Sequence, residues 1–497
     1  MNVSTACHLI IKKLKETVPA FLEKHKWILT VLKIVFYLAC LVMFTALVVI
    51  TCISLWFPKT SLNQLIFHMA YLDAKDLLAF KSFAAGGLLV IFAAMYLIYK
   101  KPVWGCVLLL LWSFQIGLLK PVKVNTTYLS FFKELHLLLQ STQIYTQLRT
   151  PQITPVQSPK NLIVIFVESL ENNFANPLFG ENLLPGLTKL AQENTTFRGY
   201  EAINGTGWTI GSQVATFCGI PLRVQLAHNL GMKTRQFLPN AVCLSDILQQ
   251  HGYYNVFLKG CYLSFFGTDI FINEHHFDET WGRDELLENG YATKKEIDLP
   301  WFGLNDTAVF RFARQKITEL SKRQQPFFIS ITTLDMHVPY GLVTPDCPPR
   351  VYNDARDVIK CTDKKIYDFV RWCQKQPFYK NTRILIMGDH LMMSGSDLDK
   401  FLQKQSRRET YNVLIDPQRK PQVIERPFSQ IDYAATLLDI LGLCSDCHFG
   451  LGASLLRPEP TWIEQIGPKK LNEEFLKNSP QYNYMLGIAA APPDFPA

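Results

Sequence analysis

Along the first quarter of the chain, polar positions nearly vanish. Residues 34–57 carry no charged side chain, and two further uncharged runs cover 82–99 and 103–119, separated by Lys100, Lys101 and Pro102. A hydrocarbon core about 30 Å thick takes roughly 20 apolar helical residues. The pattern therefore predicts three membrane-spanning helices rather than buried helices of a water-soluble domain. The first run is long and lies well inside the chain, which argues against a cleaved signal peptide. Residues 128–148, "YLSFFKELHLLLQSTQIYTQL", are apolar over most of their length but broken by Lys133, Glu134 and His136. They read as a helix lying along a bilayer surface. The three prolines of "TPQITPVQSPK", 150–160, predict an extended tether.

From residue 161 the pattern becomes short apolar runs alternating with helical segments. "NLIVIFVES" (161–169) is continuously apolar and rich in β-branched residues, as in a strand covered on both faces. "YYNVFLKG" (253–260), "FFISITT" (327–333), "RILIMGD" (383–389) and "YNVLI" (411–415) look alike. Strands alternating with helices predict a mostly parallel α/β sheet. The predicted organisation is an anchor over 1–120, a juxtamembrane helix and tether over 121–160, a catalytic domain over 161–457 and a C-terminal extension over 458–497. No internal repeat is visible.

Composition supports this division. The 497 residues are 48% hydrophobic, with a mean hydropathy of +0.07. The net charge of +8 is largely a topology signal. Lys12, Lys13, Lys15, Lys24 and Lys26 precede the first span, which keeps that end in the cytoplasm. Lys100 and Lys101 then fall in a cytoplasmic hairpin, against the smaller opposing pair Lys120 and Lys123. An odd number of spans exports everything after about residue 120. No basic patch interleaved with aromatics points to nucleic acid. Cys7, Cys40, Cys52 and Cys106 lie in the membrane part, and eight cysteines lie in the exported part. An even number in an oxidising compartment suggests disulfides, and proximity pairs Cys218 with Cys243, Cys347 with Cys361, and Cys444 with Cys447. A zinc site of Cys444, Cys447 and His448 competes, but it lacks a second ligand pair.

In parallel sheets, ligands gather at the carboxyl ends of strands. Glu168 stands there after the first strand, Asp335 and His337 after "FFISITT", and Asp389 and His390 after "RILIMGD". Singly, each could merely cap a turn or helix. Together, two carboxylates, an imidazole and one further oxygen suit Mn²⁺, Mg²⁺ or Zn²⁺. Thr209 in "NGTGWTIGSQ" could supply that oxygen and become a nucleophile. Gly205 and Gly207 would let backbone approach an oxyanion closely. A rival nucleophile lies near by. Cys218 opens "CGIPLR", close to the Cys-x-Pro-x-Arg signature that marks the modified cysteine of sulfatases.

"FVES", "GTGWTIGSQVATFCGIPL", "TTLDMHVPYG", "GDH" and "FSQIDYAATLLDILG" together resemble the exported domain of the sulfatase-like phosphoglycerol transferases. The likeness covers roughly 158–457, with five motifs in the family's order. Its nearest branch decorates osmoregulated periplasmic glucans and has a similar three-span anchor; lipoteichoic acid synthase is more distant. The resemblance implies an alkaline-phosphatase/sulfatase-like fold, a threonine nucleophile at Thr209, and typically manganese held by Glu168, Thr209, Asp389 and His390. It places His337 on the substrate phosphate. Cys218 then is no sulfatase cysteine, since its proline and arginine fall at +3 and +5 rather than +2 and +4. One departure stands out: the family usually offers a basic residue near Thr268, where this chain is uncharged. Lys259 could take its place or be a solvated lysine. The substrate-binding set expected here is His337, Lys259 and Trp208.

The implied activity transfers phosphoglycerol from phosphatidylglycerol to a periplasmic glucan through Thr209, releasing diacylglycerol. The enzyme would be multi-pass in a bacterial inner membrane, with its catalytic domain in the periplasm. A phosphoethanolamine transferase acting on lipid A or glycan would share the sheet, threonine and metal, although its threonine motif usually differs from "GTGWTIGSQ". A non-enzymatic sensor would have lost a ligand, and a hydrolytic sulfatase fits neither Thr209 nor Cys218.

Overall fold

β1 (Asn161–Val167) is buried at every position, and its alternating side chains feed two separate cores. Leu162, Val164 and Phe166 join one cluster; Ile163, Ile165 and Val167 join the other. A strand covered on both faces leaves its side chains away from water, hence the unbroken apolar run 162–167. The structure, a computed structural model, describes residues 27, 30–31, 33–38, 40–41, 92–96, 98–101, 133–134, 136–223, 236–299, 303–337, 341–393, 397–493 and 495. The three expected spans lie outside these residues, apart from short helical stretches. No helix among the described residues is long and apolar enough to cross a membrane.

The remaining strands of the main sheet are β2 (Thr195–Tyr200), β3 (Tyr254–Lys259), β4 (Glu279–Trp281), β7 (Phe327–Thr332), β8 (Thr382–Gly388), β9 (Asn412–Ile415) and β10 (Gln422–Phe428). Two small ribbons, β5 (Ile297–Leu299) with β6 (Gly303–Leu304) and β11 (His448–Phe449) with β12 (Gly452–Ala453), stand apart. The sheet order is β10-β2-β9-β8-β1-β7-β3-β4. Every pairing in it is parallel except those of β9, which runs antiparallel to both β2 and β8. The apolar run at 411–415 does form a strand, but its direction comes from the connection. Gly388 N donates to Tyr411 O at 2.7 Å, so the chain re-enters at the edge it left and runs back.

The longer helices of this unit are α1 (Pro185–Glu193), α2 (Thr209–Cys218), α3 (Asp306–Leu320), α4 (Ala355–Gln374), α5 (Tyr433–Leu441) and α6 (Trp462–Leu476). Residues of α2, α5 and α6 join the first core; those of α1, α3 and α4 join the second. The result is a helix–sheet–helix sandwich. α6 lies within the stretch expected as a C-terminal extension, yet its Leu471 and Phe475 are core residues.

The segment expected to lie on a bilayer and then run as a tether is fastened to this unit. Ile144 and Tyr145 are buried, and Tyr145 packs edge-on against Tyr482 with ring centroids 5.1 Å apart. Arg149 and Ile153 form bridges to Gly450 and Cys444. Among the described apolar positions of 128–148, Leu137, Ile144, Tyr145 and Leu148 are buried in protein while Leu139 is exposed, and the proline-spaced stretch is held at Arg149 and Ile153. The three expected disulfides are present: Cys218–Cys243, Cys347–Cys361 and Cys444–Cys447. The last removes the zinc alternative, because bonded sulfurs are no longer thiolate ligands.

Candidate active site

β1 pairs with β7 through Phe166 and Thr332 on one side, and with β8 through Val167 and Gly388 on the other. The loops leaving these three carboxyl ends therefore share one rim. Gly388 permits the closest approach there: a Cβ on it would lie 1.9 Å from Leu170 O. Glu168 follows β1, and Asp389 and His390 follow β8. All three are buried, and their ligand atoms lie within 4.8 Å of one another.

His390 is oriented by its own neighbour. Its Nδ1 is 3.0 Å from Leu391 O, an acceptor only, so Nδ1 carries the proton. Nε2 is left facing Glu168 Oε1 and Asp389 Oδ2, each 3.5 Å away. Asp389 Oδ1 accepts the amides of Ser169 and His390, both at 2.8 Å, while its buried Oδ2 has no hydrogen bond. Burial, with the Glu168 charge added, pushes Asp389 up to about 7 against the pull of His390 and the two amides. For His390, burial disfavours the cation, but the Asp389 and Glu168 carboxylates outweigh it and raise its pKa. Two buried carboxylates, one imidazole lone pair and one unpaired carboxylate oxygen make a set that a divalent cation would complete.

Thr209 opens α2. Its Oγ1 lies 3.5 Å from Glu168 Oε2, and it is half-buried. The first bond of the helix, Ser212 N to Trp208 O, is 2.9 Å, so the amides of Thr209, Ile210 and Gly211 precede the helical ladder. Such an end favours phosphate. Gly205 shapes the turn before α2. At φ +90° it packs against Pro221 and Leu222, and a Cβ there would lie 2.7 Å from Leu222 O. A Cβ on Gly207 would meet nothing within 4 Å.

Several residues around the ligand set escaped sequence reasoning. Ser169 adopts φ +53°, a conformation costing of order 1–3 kcal/mol outside glycine, and its hydroxyl donates to Glu168 Oε1 at 2.6 Å. Gln213 ties α2 to the end of β7 by donating to Thr332 Oγ1 at 2.9 Å. Gln430 donates to Asp389 O at 3.1 Å and to Tyr200 OH at 2.6 Å. The only sequence signal for these was membership of quoted stretches such as "FVES" and "FSQIDY".

The other expected residues divide. His337 is half-buried in the loop after β7, which Thr333 joins to the Glu168 turn: Thr333 Oγ1 accepts from Glu168 N at 3.0 Å. Asp335 is spent on structure, accepting from Lys365 Nζ at 2.6 Å and from the α3 amide of Asp306 at 3.0 Å. Trp208, expected to touch substrate, is 4% exposed and belongs to the first core. Lys259 is no solvated lysine. It is 7% exposed, burial lowers its pKa, and its Nζ donates to Thr268 Oγ1 at 3.1 Å.

Comparison with known proteins gives a consistent picture. The family model described as Sulfatase matches residues 160–443. The chain is 34% identical over 310 residues to phosphoglycerol transferase I of Escherichia fergusonii, covering 61% of this chain and 40% of that one. It is 33% identical over 314 residues to phosphoglycerol transferase I of Citrobacter koseri, covering 62% and 40%. The chain thus spans less than half the length of these curated relatives. Among solved structures, a protein of the alkaline phosphatase superfamily from Vibrio parahaemolyticus superimposes with a TM-score of 0.51 at 20% identity, covering 67% of this chain and 80% of that one. The lipoteichoic acid synthase LtaP from Listeria monocytogenes gives 0.50 at 16% identity, covering 63% and 80%. These likenesses concern the fold.

Proposed function

The chain belongs to the sulfatase family, and from that premise we propose that it is a metal-dependent phosphoglycerol transferase with Thr209 as its nucleophile. One observation carries the reading: Thr209 Oγ1 opens α2 3.5 Å from Glu168, which itself sits with Asp389 and His390 in one buried ligand set. The competing nucleophile is absent, because Cys218 is bonded to Cys243.

Glu168, Asp389, His390 and Thr209 would hold the cation, proposed as Mn²⁺ with Mg²⁺ or Zn²⁺ as substitutes. When bound, such an ion eases loss of the hydroxyl proton and offsets phosphate charge. Thr209 Oγ then attacks the phosphorus of phosphatidylglycerol, and the bond to the diacylglyceryl oxygen breaks. That oxygen takes up a proton, so diacylglycerol leaves and phosphoglycerol stays on Thr209. A hydroxyl of a periplasmic glucan next attacks the same phosphorus and returns its proton to Thr209 Oγ. His337 steadies the phosphate charge, the amides at the start of α2 face the oxyanion, and Lys259 meets the donor phosphate. Trp208 is assigned to substrate binding through its neighbour, since its buried ring backs the first turn of α2. A three-span anchor over 1–120 in a bacterial inner membrane would keep this site near a donor that cannot leave the lipid. Three disulfides in the domain suit the oxidising periplasm.

The test is to incubate the full-length chain with phosphatidylglycerol and identify adducts on the Thr209 peptide by mass spectrometry. The wild type should release diacylglycerol in step with a phosphoglycerol adduct, which a glucan acceptor then discharges. Thr209→Ala should fall to background, Thr209→Ser should keep partial activity, and Thr209→Cys should gain no sulfatase activity. Diacylglycerol release by Thr209→Ala at the wild-type rate would overturn the covalent route. An adduct formed only from phosphatidylethanolamine would replace the donor.

A further inference from the structure

Glu171 and Arg408 belong to no ligand set described above, yet they form a buried ion pair beside one. Glu171 is wholly buried and Arg408 is 21% exposed. Arg408 Nε donates to Glu171 Oε2 at 2.9 Å, and its Nη2 donates both to Glu171 Oε1 and, at 2.7 Å, to Met392 O. Glu171 Oε1 in turn accepts Met392 N at 2.9 Å. The pair therefore grips both backbone polar groups of Met392.

Both partners stand on fixed backbone. Glu171 bridges Thr410, Asn172 N donates to Glu409 O at 2.9 Å, and Tyr411 N donates to Leu170 O at 3.1 Å. What the pair adds is control of the loop after His390. Met392 N–H and Leu391 C=O belong to one planar, trans peptide unit, so holding the N–H at one end fixes where the oxygen points at the other. That oxygen is the partner of His390 Nδ1, 3.0 Å away.

We infer that Glu171 and Arg408 are positioning residues for the metal centre: they lock the 391–392 peptide, and through Leu391 O they set the tautomer and direction of His390. The inference rests on the metal reading above. Partners of this kind typically change metal affinity by about 10–100-fold.

The experiment titrates the full-length chain with Mn²⁺, reading free Mn²⁺ by electron paramagnetic resonance, with Glu168→Ala defining the signal of this site. Arg408→Met should weaken Mn²⁺ binding by about 10–100-fold, and Arg408→Lys, which keeps the charge but not the fork, by less. The ¹⁵N shifts of His390 in the metal-free protein, read at a pH high enough to keep the imidazole neutral, should show Nδ1 protonated in the wild type and mixed tautomers in Arg408→Met. If Arg408→Met does not fold, Arg408→Lys decides by the same two measures. Unchanged Mn²⁺ affinity and unchanged His390 shifts in a folded variant would overturn the inference, as would failure of both variants to fold, which would make the pair purely structural. If the wild type itself binds no Mn²⁺ at Glu168, the metal reading fails instead.

Discussion

Lys259 Nζ donates to Thr268 Oγ1 across 3.1 Å, joining the end of β3 to the start of the short helix Thr268–Glu274. The ammonium of Lys259 therefore reaches the position, Thr268, at which the family resemblance leads one to expect a basic side chain. Phe265, with its ring centroid 5.8 Å from the ammonium, covers it. Removing a charge-assisted hydrogen bond to phosphate costs about 1.5–3 kcal/mol. Lys259→Met should accordingly raise the KM for phosphatidylglycerol by roughly 10-fold or more at little change in kcat. Adding Thr268→Lys to that variant should recover most of the loss. Steady-state kinetics on the three variants checks this, and an unaltered KM in Lys259→Met would take the lysine out of the site.

Glu168→Ala and Asp389→Ala should each reduce transfer to background while leaving the secondary structure intact. Each removes one of only two carboxylates in the ligand set, and a site short of a charged ligand binds a divalent cation poorly. Circular dichroism together with diacylglycerol release distinguishes this from unfolding. Full turnover by either variant in a metal-depleted sample would end the assignment.

Mn²⁺ binding should strengthen as pH rises from about 5 through about 7, and His390, whose pKa the two carboxylates also raise, prolongs the rise until its Nε2 loses its proton. Burial and Glu168 hold the Asp389 carboxyl up to about 7 in the metal-free protein, so below that pH a proton must leave before the cation can bind. The sign follows from competition: the proton wins at low pH, the metal at high pH. The same raised pKa means that the metal-free fold loses Asp389-linked stability as pH climbs from about 4 towards 7. Mn²⁺ titrations and melting curves across this range read both effects, and a flat affinity from pH 5 to 8 would contradict the first.

Cys347 and Cys361 are joined, linking the stretch beyond His337 to α4. Closing a loop of this length restricts the unfolded chain by about 3 kcal/mol. Cys347→Ser with Cys361→Ser should lower the melting temperature, and turnover should fall further than stability alone explains, because Lys365 of α4 also holds Asp335 beneath the His337 loop. Non-reducing peptide mapping should recover the pair from the native protein. Free thiols at both positions would break the link between this crosslink and the site.

The sequence by itself determined the strands whose both faces are buried, because an unbroken apolar run such as 162–167 is compatible with few other environments. It also determined the residues at their carboxyl ends, since a parallel sheet brings Glu168, Asp389 and His390 to one rim whatever the intervening loops do. β2 and β10 were not legible: β10 alternates exposed and half-buried side chains, a pattern shared with loops. The direction of β9 was not legible either, because apolarity reports burial and says nothing about which way a strand runs. Only the tertiary structure separated Asp335, neutralised by Lys365, from Asp389, whose Oδ2 accepts no hydrogen bond. Both are buried aspartates just beyond a strand end, and what distinguishes them is the charge packed opposite. The same holds for Lys259, whose partner Thr268 lies across a fold contact, and for Glu171 and Arg408, 237 residues apart. Periodicity encodes which side of an element faces water; which charge meets which is set by packing between elements, and no local pattern carries it.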